Sequence, residues 1–157
     1  SAELTPNAWA YRNLAQIEKN EHLDVQKAVV YMEKAILQKN DYQPLWVNYA
    51  ESLFASNNYE KWIEEYEQKI PKELKENNRL KLLYAHALVK VDRYVEALDI
   101  LNNKFVLPDI KEGEFSISHI WLEAHKKILA EQGITDITDK DVYAKYPLPY
   151  ELDFRMH

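Results

Sequence analysis

Cysteine is absent from this chain, which removes disulfide staples, thiolate zinc sites and cysteine nucleophiles together. Glycine is nearly absent: two residues in 157, against an average usage of about 7%. Tight hairpins and glycine-rich phosphate loops therefore have no material to form from, and with few alternating Val-Thr runs a sheet is poorly supported. No apolar run approaches the roughly 18 residues of a membrane span, and the opening SAELTPNAWAY lacks the basic and apolar segments of a signal peptide. These absences favour a cytoplasmic address and argue against a membrane partner. An excess of basic charge is missing too. Lys and Arg number 20 against 26 Asp and Glu, a formal charge of -6 with the signs interleaved, whereas a nucleic-acid footprint needs a basic stripe. No nucleophile elbow is present, so catalysis is not expected, and neither is a cofactor.

What is present is helical periodicity. A chain of this length, 46% hydrophobic, suits one all-α domain or a short stack of helix pairs. The organising stretch is 43–69, QPLWVNYAESLFASNNYEKWIEEYEQK. It places Trp46, Tyr49, Ala50 and Leu53 on one helix and Trp62 and Tyr66 on the next, which is the W-x2-L-G-x2-Y and A-x3-F spacing of a helix-turn-helix repeat. Asn57 and Asn58 supply the turn. Trp62 stands where the pattern wants alanine, so it must splay the pair or fill a gap.

A first copy covers 7–38. Thr5 is expected to cap it with Pro6 in the first turn. Tyr11, Leu14 and Ala15 lie on its first helix, Ala28, Met32 and Ala35 on its second, and its turn is one residue longer than the pattern. Asn40 stands where a closing proline is usual. Pro71 ends the second copy, and 71–78 reads as a short helical connector. The third copy, 79–103, carries Tyr84, Ala85 and Leu88, then Tyr94, Ala97 and Leu101. Residues 104–114, with Pro108 and Gly113, read as an extended loop whose Phe105, Val106 and Leu107 need cover. A fourth unit, 116–146, has a helix capped by Ser116 or Ser118 and closed by Gly133, and a short partner capped by Thr138. The tail 147–157 cannot be helical at Pro147 and Pro149, and its Leu148, Tyr150, Leu152 and Phe154 are expected to pack back as a cap.

Across these spaced positions the chain resembles a tetratricopeptide-repeat (TPR) protein. That implies antiparallel helix pairs stacked as a short right-handed α-solenoid of about three and a half repeats. A narrower resemblance rests on Phe105, Glu112, Gly113 and Glu114 in the loop, and on Leu152, Asp153, Phe154, Arg155 and Met156 at the end. These are similar to the repeat region that follows a mutarotase-like domain in a bacterial family of unknown function. This resemblance implies an accessory region of a larger, carbohydrate-related parent, and the abrupt start at Ser1 fits a fragment.

In such a stack the first helices line a groove, and residues one step off the core face it. The first copy offers Arg12 and Gln16, the second Asn48, Glu51 and Phe54. The third adds Leu82, His86 and Lys90, the fourth Trp121 and His125. Trp46, Tyr49, Tyr66 and Tyr84 are read as core, while Trp9 and Trp121 flank it and are open to a binding role. His86 and His125 at matching positions, with Glu51, make a conceivable metal set, yet no H-x3-H or E-x2-H pair supports it and no metal is expected. Glu64-Glu65 and Asp139 with Asp141 read as solvated faces. The function expected is a non-catalytic scaffold binding a protein or peptide, with the N-terminal domain of its own parent or a second copy of the chain as partner. The alternative is a carbohydrate-binding or carbohydrate-active module built on groove aromatics with Arg12, Glu51 and His86.

Overall fold

The structure, a computed structural model, describes residues 7–101 and 116–149. Among these the chain is all helix, in the order α1 (Ala8–Asn20), α2 (Val25–Gln38), α3 (Gln43–Ala55), α4 (Tyr59–Gln68), α5 (Lys72–Lys75), α6 (Asn78–Lys90), α7 (Tyr94–Ile100), α8 (Ser116–Glu131) and α9 (Asp139–Lys145). No helix among the described residues is long and apolar enough to cross a membrane. The expectations placed on Thr5 and Pro6, on the loop 104–114 with Phe105 to Leu107 and Glu112 to Glu114, and on Tyr150, Leu152 to Met156 lie outside the described residues. Contacts divide the chain into two units, Ser1–Leu80 and Lys81–His157.

In the first unit α1 packs on α2, α2 on α3 and α3 on α4, and α1 also touches α3. The cap of α1 is Asn7, whose side chain accepts from the Ala10 amide at 2.9 Å. Asn7 thus does what the sequence suggested for Thr5. Helix α2 buries Ala28, Met32, Ala35 and Ile36, a stripe at helical spacing whose two alanines let neighbouring backbones approach. Helix α3 buries Leu45, Trp46, Tyr49, Ala50 and Leu53. Trp62 fills space instead of standing proud. Fully buried, its ring lies 6.4 Å from Trp46 and 6.1 Å from Tyr66, centre to centre, while its Nε1 has no acceptor among the described residues. The short connector α5 precedes α6, and the Tyr66 hydroxyl donates to the Lys75 carbonyl at 2.7 Å, which holds the connector against α4.

The helix ends show the repeat more sharply than the core does. After α3, Asn57 is left-handed (φ 58°), the Asn58 amide reaches back to the Leu53 carbonyl at 2.8 Å, and the Asn57 amide to Phe54 at 3.0 Å. After α6, Asp92 (φ 66°) repeats this, with Arg93 to Leu88 at 2.8 Å and Asp92 to Val89 at 3.1 Å. After α8, Gly133 (φ 83°) repeats it again, with Ile134 to Leu129 at 2.9 Å and Gly133 to Ala130 at 3.0 Å. Each turn satisfies two orphan carbonyls of its helix. The leucine that accepts the longer bond, Leu53, Leu88 or Leu129, is fully buried. The first copy differs as its length requires: Leu23 is left-handed (φ 55°), and the Asp24 amide reaches back six positions, to Glu18, at 2.7 Å.

In the second unit α7 packs on α8 and α8 on α9. Ala97 and Leu101 are buried at the α7 end, and Ile117, Ile120, Ala124 and Leu129 along α8. Thr138 caps α9 by accepting from the Asp141 amide at 3.2 Å. Beyond α9 the chain is not helical through Pro149, and Leu148 is buried.

Candidate functional site

The groove candidates fall into one set per unit. In the first, α1 and α3 bring Arg12 and Asn48 together across 36 positions of sequence: Arg12 Nε donates to Asn48 Oδ1 at 2.6 Å, and both are half-buried. Asn48 is steadied in turn, since the Ser52 hydroxyl donates to its carbonyl at 3.0 Å. The bond at Nε fixes the guanidinium plane, and no described residue engages its terminal nitrogens. Gln16, one turn along α1, accepts weakly from Asn20 at 3.4 Å. Glu51 is exposed on α3, and Phe54 is half-buried with its ring 5.0 Å from Tyr59. Trp9, at the start of α1, is 40% exposed and meets Tyr42 edge-on at 5.0 Å.

The second set is only partly a surface. Leu82 is 4% exposed and belongs to the core. His125 is buried as well, its ring stacked on Tyr146 at 4.2 Å and tilted against Trp121 at 4.8 Å. The reason is register. Counted back from the capped leucine, His125 stands four residues before Leu129, as Tyr49 stands before Leu53 and Tyr84 before Leu88. It therefore occupies the packing position, and it does not match His86, which stands two before Leu88. Neither ring nitrogen of His125 has a partner among the described residues, and burial holds its pKa below the usual histidine range. Trp121 is half-buried and donates from Nε1 to the Tyr146 carbonyl at 2.8 Å, so it fastens the end of α9 to α8.

His86 is half-buried on α6, its pKa lowered first by burial and then by Lys90. Lys90 is exposed and pairs with Glu123 at 3.3 Å. Lys127, which sequence reasoning passed over, donates at 2.6 Å both to the Val89 carbonyl and to Asp92. An ammonium at the C-terminal carbonyls of α6 is favoured by the helix dipole. Among the described residues no three His, Asp or Glu side chains gather as a metal site would require.

A further cavity of about 300 Å³ opens in the first unit between α2 and α4, with Trp46 and Tyr49 of α3 at its base. Its central group is Glu65, expected to be solvated and found 4% exposed, whereas its neighbour Glu64 is exposed. Lys61, Lys69 and the Tyr49 hydroxyl all converge on Glu65 Oε1, at 3.3, 3.2 and 3.3 Å. The pKa of Tyr49 is raised, by burial first and then by Glu65 and Glu33; that of Lys61 is raised chiefly by its hydrogen bond to Glu65. The signal was present in the sequence: Lys61, Glu65 and Lys69 at steps of four lie on one helical stripe, which lets two ammoniums reach one carboxylate. Compared with protein-family models, curated proteins and solved structures, the chain matches none.

Proposed function

We propose that the chain is a non-catalytic helical-repeat scaffold, TPR-like, its pairs stacked in the right-handed sense, and that it binds a peptide or a protein domain on the face shared by α1 and α3. The observation that carries this reading is the Arg12–Asn48 bond. It links first helices of consecutive pairs and orients a half-buried guanidinium whose terminal nitrogens no described residue engages. Such a fork matches a carboxylate bidentately. Exposed Glu51 and half-buried Phe54 on α3 add a charge and an aromatic edge to the same helix. The recurrent turn after α3, α6 and α8 supports the repeat reading, because a fixed helix-to-helix connection is what a stack of equivalent pairs needs. A domain of the parent chain is the partner this reading favours, in the carbohydrate-related context that the resemblance implies; a second copy of the chain is the other.

The test is a selection of random peptides displayed against the folded chain. Convergence on sequences that carry a carboxylate supports the reading, provided that Arg12→Ala weakens the selected peptides by about tenfold or more, as loss of a charge-assisted pair would. Failure to converge, or affinity indifferent to Arg12→Ala with the helical circular dichroism preserved, overturns it.

A further inference from the structure

The cavity between α2 and α4 has a different chemistry from the α1–α3 face, and it stands independently of the function proposed above. Three donors saturate one oxygen of Glu65, while the other, Oε2, receives none among the described residues. Oε2 is not among the buried polar atoms left without a partner, so it keeps some exposure, and that exposure is open to water or to a molecule in the cavity. The space beside it is at the small end of the roughly 300–1,000 Å³ that ligand clefts span. That volume holds one small molecule and is too small for a folded segment.

The charges of the lining balance. Glu33 and Glu65 supply two negative groups, Lys61 and Lys69 two positive ones. Glu33 and Lys69 lie at the exposed rim, and a ligand with net charge would add an unmatched charge to this balanced set, whereas a neutral one leaves the balance intact. Donors and acceptors are also interleaved. Each lysine spends one of its three N–H groups on Glu65, and Oε2 of Glu65 accepts. A hydroxyl both donates and accepts, so adjacent hydroxyls on one carbon frame match this array, and Leu37 at the rim offers an apolar wall for the C–H side.

We infer that the α2–α4 cavity is a binding site for a small, neutral, polyhydroxylated molecule of about monosaccharide size, recognised by Glu65, Lys61 and Lys69. The experiment is a titration of the ¹⁵N-labelled chain with D-glucose, myo-inositol and glycerol, with glycine as a zwitterionic probe and phosphate as an anionic one. The result expected is saturable amide shifts in α2 and α4 with at least one of the three polyols. Glu65→Gln should weaken that binding by about tenfold or more, the loss of a hydrogen bond to a charged group. Because Glu65→Gln also disturbs a buried cluster, Leu37→Arg provides the second variant. Leu37 is 86% exposed, so the change leaves the fold alone while placing a charged chain across the mouth, and binding should be lost. No saturable response to any of the three polyols overturns the site. Saturation of the same amides by glycine or phosphate in their place overturns the ligand class, and polyol binding unaffected by both variants overturns the location.

Discussion

The turn after α8 permits a clean measurement of what a left-handed cap contributes. Gly133 has φ 83°, and a Cβ built there meets nothing within 4 Å, so Gly133→Ala changes backbone preference without a clash. An L-residue in this region costs about 1–2 kcal/mol, and alanine recovers roughly 0.4–1 kcal/mol of that by stiffening the unfolded chain. The net expectation is a loss of about 1 kcal/mol, or roughly 2–4 °C in melting temperature for a chain of this size. Leu23 provides the opposite substitution. It is left-handed at φ 55° and 78% exposed, so its side chain has little burial to lose. Leu23→Gly should therefore stabilise, by roughly half to one kcal/mol on the same arithmetic. Urea unfolding followed by circular dichroism, with unchanged slopes, reads both. If Leu23→Gly destabilises as much as Gly133→Ala, the turns are not held by a left-handed residue, and the equivalence of the helix pairs fails.

Two further outcomes follow from the core. Trp62→Ala restores the residue the repeat pattern prefers, yet the indole is fully buried against Trp46 and Tyr66. The substitution should cost about 3–5 kcal/mol in urea unfolding, as large-to-small changes in filled cores do; a gain would mean that Trp62 splays the pair. His125 is buried with its pKa depressed from 6.5, so below pH 6.5 the unfolded chain takes up a proton that the folded chain resists. Stability should accordingly fall as pH drops through that point, and rise again with pH toward a plateau above it. Unfolding midpoints measured on either side of pH 6.5 should differ less in His125→Phe than in the parent, and an identical pH profile in the two would remove His125 from the account.

The helices were legible because their signals are local: apolar residues at helical spacing, Asn57-Asn58 and Gly133 at turns, Thr138 ahead of α9. The extra residue in the first copy was legible too, and it appears as the hydrogen bond from Asp24 to Glu18 spanning one residue more than its counterparts. Leu82 and His125 were misplaced by register: Leu82 stands six residues before the capped Leu88, one step off the place Asn48 holds before Leu53, and His125 stands four before Leu129, whereas His86 stands two before Leu88. A helix position has no fixed inside or outside until its end is anchored, and in α8 the anchor is the turn at Gly133, which shifts the buried face by two residues from the count carried forward along the chain. Glu65 was missed because a carboxylate next to another carboxylate reads as surface. Its burial depends on Tyr49, on another helix, together with two lysines on its own.

The function proposed for the chain rests on α1 and α3 presenting one recognition face organised by Arg12 and Asn48. The most direct measurement is a shift map of the backbone and side-chain N–H groups of the chain titrated with a selected carboxylate-bearing peptide. The largest changes should fall on α1 and α3, including the Arg12 Nε–H and the Asn48 side-chain amide, and Asn48→Ala should diminish them by loosening Arg12. Changes confined to other helices, or undiminished in Asn48→Ala, would contradict that reading.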